Sequence, residues 1–173
     1  PVLGIEPAKN IANKAEAIGV PTISRFFNSQ LAQELDSSKK QADLLIGNNV
    51  LAHVPNLNEF VSSLKMILKS NGVITLEFPS LLELIDKNQF DTIYHEHYSY
   101  FSYLTVEKIF NHHGLNLFDV EELKTHGGSF RIYVQHQKNS DNRISESISR
   151  IKLREKKYGL DKLDSYQNFS KKV

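Results

Sequence analysis

Four short apolar runs are separated by segments of helical periodicity, and this alternation is what most restricts the fold. The runs are Val2-Leu3-Gly4-Ile5, Thr22 to Phe27, Ala42 to Gly47 and Gly72 to Phe78. Between them lie Ala8 to Ile18 (apolar at Ile11, Ala12, Ala15 and Ile18, closed by Gly19), Gln30 to Leu35, and Asn58 to Lys69, with Phe60, Val61, Leu64, Ile67 and Leu68 on one face. The polar stretch Asp36 to Gln41 reads as a loop. Strands joined through helices cannot pair as tight hairpins. The order β-α-β-α-β-α-β therefore predicts a parallel sheet covered by helices.

The pattern then changes. Leu81 to Asn88 reads as a short helix. Thr105 to His113 is another, with Thr105 as expected N-cap and Gly114 as its stop. Leu115 to Leu123 and Phe130 to His136 read as two strands close enough to pair antiparallel across Thr125-His126-Gly127-Gly128-Ser129. Lys138 to Asn142 is a polar linker. Arg143 to Tyr158 and Asp161 to Lys172 are charged helical segments with few apolar residues, and the basic run Lys152 to Lys157 reads as a solvated helix face. These last segments carry too little apolar surface to fold alone. The expected division is a core over residues 1–137 and, over 138–173, a linker with the helical start of a second domain. A buried strand as the first element, with no initiator methionine, suggests a piece of a larger protein.

Composition bounds the function. The net charge of +1 gives no reason to expect nucleic acid or an acidic membrane as partner. The absence of cysteine excludes disulfides and thiolate metal sites here and fits the cytoplasm. No apolar run approaches the ~18 residues that span a bilayer, and no signal peptide is present. The oligomeric state cannot be read.

Ligands of open α/β sheets bind at the carboxyl ends of the strands. Those ends carry Glu6, Phe26-Phe27-Asn28, Asn48-Asn49 and Glu77. Glu6 can accept from both ribose hydroxyls of a nucleotide, or is a solvated turn residue before Pro7. Asn48 and Asn49 can hold the polar end of a ligand, or cap the strand and the next helix. His53 follows in a turn closed by Pro55. Phe27 can flank an adenine ring, though paired aromatics after a strand are more often core.

The densest chemistry lies in Asp91 to Ser102, DTIYHEHYSYFS, with two histidines, one glutamate and three tyrosines in twelve positions. Burying such groups without partners costs a few kcal/mol, so the stretch is either a site or a hydrogen-bonded network. His95 and His97, with His112-His113 or His126, form a weak candidate metal set. In an extended segment His95 and His97 would share one face and Tyr94 and Glu96 the other. Gly127 and Gly128 either let the backbone approach a ligand or form a plain hairpin turn.

The strings GIEP, NNVLAHVPN and GVITLEFP resemble class I S-adenosylmethionine-dependent methyltransferases. LEFPSLLELIDKNQFDTIYHEHYSYFS and GLNLFDVEELKTHGGSFRIYV resemble more narrowly the C-methyltransferases of nucleoside-diphosphate keto-deoxysugars, over about Val2 to His136. The family pattern adds a cysteine-rich zinc module before this region and a substrate domain after it; neither is visible here, nor is the first strand with its glycine-rich loop. The resemblance implies an α/β fold: a partial Rossmann-like methyltransferase sheet, mostly parallel with a C-terminal antiparallel hairpin, followed by helices leading to a missing domain. It implies S-adenosylmethionine as cofactor, with Glu6, Phe27, Asn48, Asn49 and His53 as its binding residues. It makes His97 the general base, with Tyr94 and Glu96 as further catalytic groups. It places His95, His126, Gly127, Ser129 and Arg131 at a small-molecule nucleotide-sugar substrate, with no bound metal. The competing readings are a non-catalytic Rossmann-like binding module, a methyltransferase of another small keto substrate, and an NAD-type oxidoreductase.

Overall fold

A computed structural model describes residues 1–139 and 141–171. Ser140 of the expected linker and Lys172, the expected end of the last helix, lie outside the described residues. The chain forms β1 (Gly4–Ile5), α1 (Lys9–Ala17), β2 (Thr22–Ile23), α2 (Ser29–Ser37), β3 (Ala42–Asn48), α3 (Leu57–Ile67), β4 (Leu68–Pro79), α4 (Leu81–Asp86), α5 (Tyr103–His112), β5 (Leu115–Leu123), β6 (Ser129–His136), α6 (Glu146–Tyr158) and α7 (Leu163–Gln167).

The strands fall into two hydrogen-bonded groups. β1 pairs parallel with β2, and a four-stranded sheet runs β3-β4-β6-β5. β3 and β4 are parallel; β6 is antiparallel to both β4 and β5. The expected α/β class, with a parallel part and a C-terminal antiparallel hairpin, is therefore observed. β6 does more than close a hairpin: it inserts between β4 and β5. Alternation explains why. Ile74, Leu76 and Phe78 of β4 stand directly opposite Val134, Ile132 and Phe130 of β6, and all six are buried. These pairs form the centre of the core against Val106 and Phe110 of α5.

Several boundaries differ from the sequence reading. β4 begins at Leu68, not Gly72, because Leu68 pairs with Ala42; α3 correspondingly stops at Ile67. β1 is only two residues long, and Val2 and Leu3 are exposed, not buried. β2 ends at Ile23, where the Arg25 N–H turns back to the Ile23 carbonyl, so Arg25 to Phe27 are not strand. The N-cap of α5 is Ser102, not Thr105: the Ser102 hydroxyl oxygen accepts from the Thr105 N–H.

β1 and β3 do not pair with each other, and the outward residues of β3, Leu44 at 53% and Ile46 at 67% exposure, stand open to solvent. β3 therefore ends the four-stranded sheet with an edge unpaired among the described residues and an apolar face open to solvent.

The C-terminal helices also differ from expectation. Ile148 and Ile151 of α6 enter the main core, and Leu160 joins Leu82, Leu84 and Ile85 of α4 in a smaller cluster. The supposed solvated face contains Glu155, which is fully buried. Its two carboxylate oxygens accept from the backbone N–H groups of Tyr103 and Leu104, at 2.7 and 2.9 Å. A side chain from α6 thus caps the first turn of α5 from outside. Burial pushes the Glu155 carboxyl above its ordinary range, against the two N–H groups that favour its charge. Arg154 beside it joins Glu83 and Glu122, and Lys152 joins Glu107.

Glu155→Ala should lower stability by about 1–3 kcal/mol, because it strands two buried N–H groups. Glu155→Gln should lose less. A raised folded-state pKa means that the native state holds its proton longer. The wild type should therefore lose stability as pH rises from the unfolded carboxylate range, ~4.3, through the folded value, and Glu155→Gln should flatten that dependence. Urea melts of the three proteins between pH 4 and 8 check both effects.

Candidate active site

The site assembles where three connections meet at the carboxyl ends of β3 and β4. The first is the chain after β3. Asn49 has a positive φ of 55° and donates its N–H to the carbonyl of Glu77, at the end of β4, at 2.8 Å. A short turn, Leu51–His53, follows, with Leu51 and Ala52 buried. The second is the stretch Asp91 to Ser102. It is fastened to that turn: the N–H groups of Tyr98 and Ser99 donate to the Ala52 carbonyl, and His53 Nδ1 lies 2.9 Å from the carbonyl of Glu96. A carbonyl only accepts, so the His53 proton sits on Nδ1 and Nε2 keeps its lone pair in the neutral ring. The far end of the stretch is held by the Leu81 N–H on the Phe101 carbonyl.

The stretch is not extended. The His97 N–H donates to the Tyr94 carbonyl at 3.1 Å, closing a turn over Tyr94-His95-Glu96-His97. The turn removes the alternation expected of a strand. Tyr94 and His97 come together, with ring centroids 4.4 Å apart, while His95 and Glu96 at the apex are exposed. His97 also lies 4.8 Å from His53 and 5.5 Å from Tyr100. The Tyr100 hydroxyl accepts from the Tyr94 N–H, at 3.1 Å, and lies 3.3 Å from the Tyr94 carbonyl. His97 is thus partly enclosed by two tyrosines and an imidazole. Burial holds its pKa below the ordinary histidine range, with His53 and His126 opposing the added charge and Glu96 favouring it.

The third connection is the 125–128 turn between β5 and β6. His126 has φ 50°, and Gly127 and Gly128 have φ 79° and 131°. A Cβ on Gly127 would meet the Gln89 side chain at 2.6 Å, and one on Gly128 would meet Glu83 at 2.6 Å, so the turn needs both glycines for conformation and for space. Asn49 Nδ2 lies 3.3 Å from His126 Nε2, while the buried Asn49 Oδ1 has no partner among the described residues.

The structure sorts the expected site residues into three groups. Tyr94, His97 and His53 meet around one point, which places His53 with the supposed catalytic residues and not with the cofactor residues. Asn49 and His126 meet at the strand ends, with Asn48 exposed beside them. The remaining assignments fit less well. Ser129 is 1% exposed and its hydroxyl donates to the Thr125 carbonyl, so it cannot reach a substrate. Arg131 is engaged by Glu77 at 2.9 Å and by Glu121 at 3.4 Å. Phe27 packs edge-on against Phe60, with centroids 5.6 Å apart, and joins the core. The Glu6 carboxylate accepts from the Ala8 N–H at 2.8 Å, within its own turn. Tyr100, Ala52 and Thr125 were not singled out by sequence; nothing in the string reveals their long-range partners. Among the described residues no group of three histidines or acids gathers as a metal site, and no helix is long and apolar enough to cross a membrane.

Comparison with known proteins bears on this arrangement. A methyltransferase domain family model matches residues 1–120. The chain belongs to that family. A C-methyltransferase C-terminal domain model matches residues 124–173, so the two matches adjoin at the end of β5 and the 125–128 turn falls in the second. The C-methyltransferase NovU of Streptomyces niveus is 32% identical over 169 residues, which cover 98% of this chain and 40% of that protein. The chain thus spans under half the length of that relative. Among solved structures, an S-adenosylmethionine-dependent methyltransferase from Anabaena variabilis aligns with a TM-score of 0.58 at 14% identity, over 78% of this chain and 68% of that one. A Thermotoga maritima enzyme described as a possible histamine N-methyltransferase aligns with a TM-score of 0.58 at 14% identity, over 79% and 73%. These structures share the fold.

In an NMR titration the His97 ring should protonate below ~6.5, the value of an unperturbed histidine. His53→Gln should move the midpoint upward, because it removes a titratable ring that opposes the added charge on His97. A folded pKa below the unfolded one means that this stabilising contribution is complete above ~6.5 and is lost as pH falls.

Proposed function

We propose that this chain is the central part of an S-adenosylmethionine-dependent C-methyltransferase that acts on a nucleotide-linked keto-deoxysugar. The observation that carries the reading is the turn at Tyr94-His95-Glu96-His97, which sets a neutral imidazole between a phenol and a second imidazole. The 124–173 match to a C-methyltransferase domain and the likeness to NovU support carbon as the acceptor atom.

The cofactor fits the strand ends. The unpartnered buried Oδ1 of Asn49 needs a donor, and Asn48 beside it is exposed. Glu6, just after β1, engages the Ala8 N–H through Oε1. Asn49, Asn48 and Glu6 would hold the polar parts of the cofactor, and Phe27 would serve only as the apolar support beneath them. When bound, S-adenosylmethionine supplies an electrophilic methyl group.

The chain's own residues prepare the acceptor. His97, neutral at pH 7, takes the proton from the carbon beside the sugar ketone. The C–H electron pair moves into the carbonyl, leaving an enolate whose carbon is the nucleophile. The Tyr94 hydroxyl donates to the enolate oxygen. His53, with Nδ1 bound to the Glu96 carbonyl, is held beside the His97 ring and opposes the charge that its protonation would add. His95 and Glu96, exposed at the apex, and His126 and Gly127 at the facing turn, contact the nucleotide sugar.

The unpaired edge of β3 would accept one further parallel strand from outside residues 1–173, carrying the glycine-rich loop of the cofactor site, and 138–173 would lead into a substrate domain. Calorimetry should find tight S-adenosylmethionine binding by the full-length protein and weak binding by residues 1–173 alone; equal affinities would mean that the outer strand contributes nothing.

His97→Ala in the full-length protein should slow exchange of the sugar α-proton in D2O by about 10²–10⁴-fold, the usual worth of a general base. Cofactor affinity should not change. Exchange at the wild-type rate would move the base to Tyr94 or His53.

A further inference from the structure

We infer that Glu77 is a positioning residue: its backbone and carboxylate together hold Asn49 and His126 against each other across the site. The inference rests on the reading of the strand ends as the site.

Glu77 is buried although it lies two residues before the proline that ends β4. It touches both sides of the Asn49–His126 contact. On one side its carbonyl accepts the Asn49 N–H at 2.8 Å, which holds Asn49 in its positive-φ conformation. On the other, carboxylate Oε1 accepts from the Thr125 hydroxyl at 2.9 Å, immediately before His126. The other oxygen, Oε2, accepts from Arg131 at 2.9 Å.

Register explains the arrangement. Asn48 of β3, Glu77 of β4, Arg131 of β6 and Glu121 of β5 are successive partners across four strands. A row of side chains on one sheet face places the guanidinium between two carboxylates. Arg131 is thereby fixed, and it neutralises Glu77 at a depth where an unpaired carboxylate would be costly. Arg131 thus acts through Glu77 and does not bind substrate.

The turn is held from its other side as well. The Gly127 carbonyl accepts from Gln89 Nε2 at 3.0 Å and from Lys87 Nζ at 3.3 Å, and the Gly128 carbonyl accepts from the Ser80 N–H at 2.9 Å. These bonds fix the glycines. At the histidine end the Ser129 hydroxyl holds the Thr125 carbonyl, and the Thr125 hydroxyl reaches the Glu77 carboxylate. The hydroxyl at position 125 is thus the group through which the Glu77 carboxylate acts on His126, and Thr125 is exposed enough to be replaced without a cavity.

The test uses the full-length protein with labelled histidine and three variants: Thr125→Val, Thr125→Ser and Glu77→Gln. Valine keeps the shape and removes the donor; serine keeps the donor. The ring signals of His126, assigned by their loss in His126→Gln, should move to those of a solvent-exposed histidine in Thr125→Val and return in Thr125→Ser. Glu77→Gln, whose single amide oxygen is drawn to the guanidinium and whose N–H₂ then faces the Thr125 hydroxyl in place of an acceptor, should reproduce the valine spectrum. With a keto-sugar substrate, kcat/KM should fall about tenfold in Thr125→Val, carried by KM, as expected for one hydrogen bond; Thr125→Ser should restore it. Unchanged His126 signals in Thr125→Val overturn the inference, and so does a serine variant that behaves like valine. Wild-type protein inactive on keto-sugars would sink the proposed function instead, while the His126 signals would still decide the role of Glu77.

Discussion

The insertion of β6 between β4 and β5 is the constraint on which the site depends. Because β6 runs antiparallel to β4, its first residue, Ser129, lies opposite Pro79, the last of β4. The turn that precedes β6 is therefore delivered to the same end of the sheet as Asn49 and the chain after β3. Had β5 paired with β4 by continuing the parallel order, the 125–128 turn would lie one strand further out. The matched apolar pairs of β4 and β6 select the observed register, since a slip by one residue would turn Phe130, Ile132 and Val134 away from the core. A packing requirement on one face of the sheet thus fixes a polar row on the other.

The stretch from Asp91 to Ser102 depends on that frame in a different way. It has little regular structure of its own and is shaped by borrowed partners: the Ala52 carbonyl, the His53 ring and the Leu81 N–H. Each closes a short path back to the ends of β3 and β4. The result is a histidine that is sheltered without being sealed. Its environment lowers its basicity, which is what the proposed role of proton acceptor requires.

Much of this was legible in the sequence. The alternation of apolar runs and helical periods located every strand, and the spacing of Leu115 to Leu123 and Phe130 to His136 announced the antiparallel pair. The density of titratable groups marked the stretch that the structure gathers around His97. What stayed hidden is what depends on residues far apart in the chain. Leu68 reads as the last apolar position of a helix, and only Ala42 makes it a strand. Thr105 has the right chemistry for a cap, but Ser102 has the right place once Phe101 is fixed. Glu155 sits in a basic run that looks solvated, and the two N–H groups that bury it are about fifty residues away. Arg131 looks like a ligand-binding guanidinium until the register places carboxylates on both sides of it. The turn at Tyr94 to His97 had no Gly, Pro or Asn to announce it.

The Glu155 contact has a consequence for the order in which the molecule can be completed. A chain growing from its N-terminus acquires every residue around His97 well before residue 155 exists. Until α6 arrives, the first turn of α5 keeps two uncapped N–H groups, and the downstream anchor of the 91–102 stretch rests on Phe101 and Ser102 alone. The chemistry-bearing segment is therefore written early and tightened late. A ribosome-bound intermediate ending near Gln137 would hold all the side chains of the site on a slack support, and α6, once it emerged, would draw it into shape.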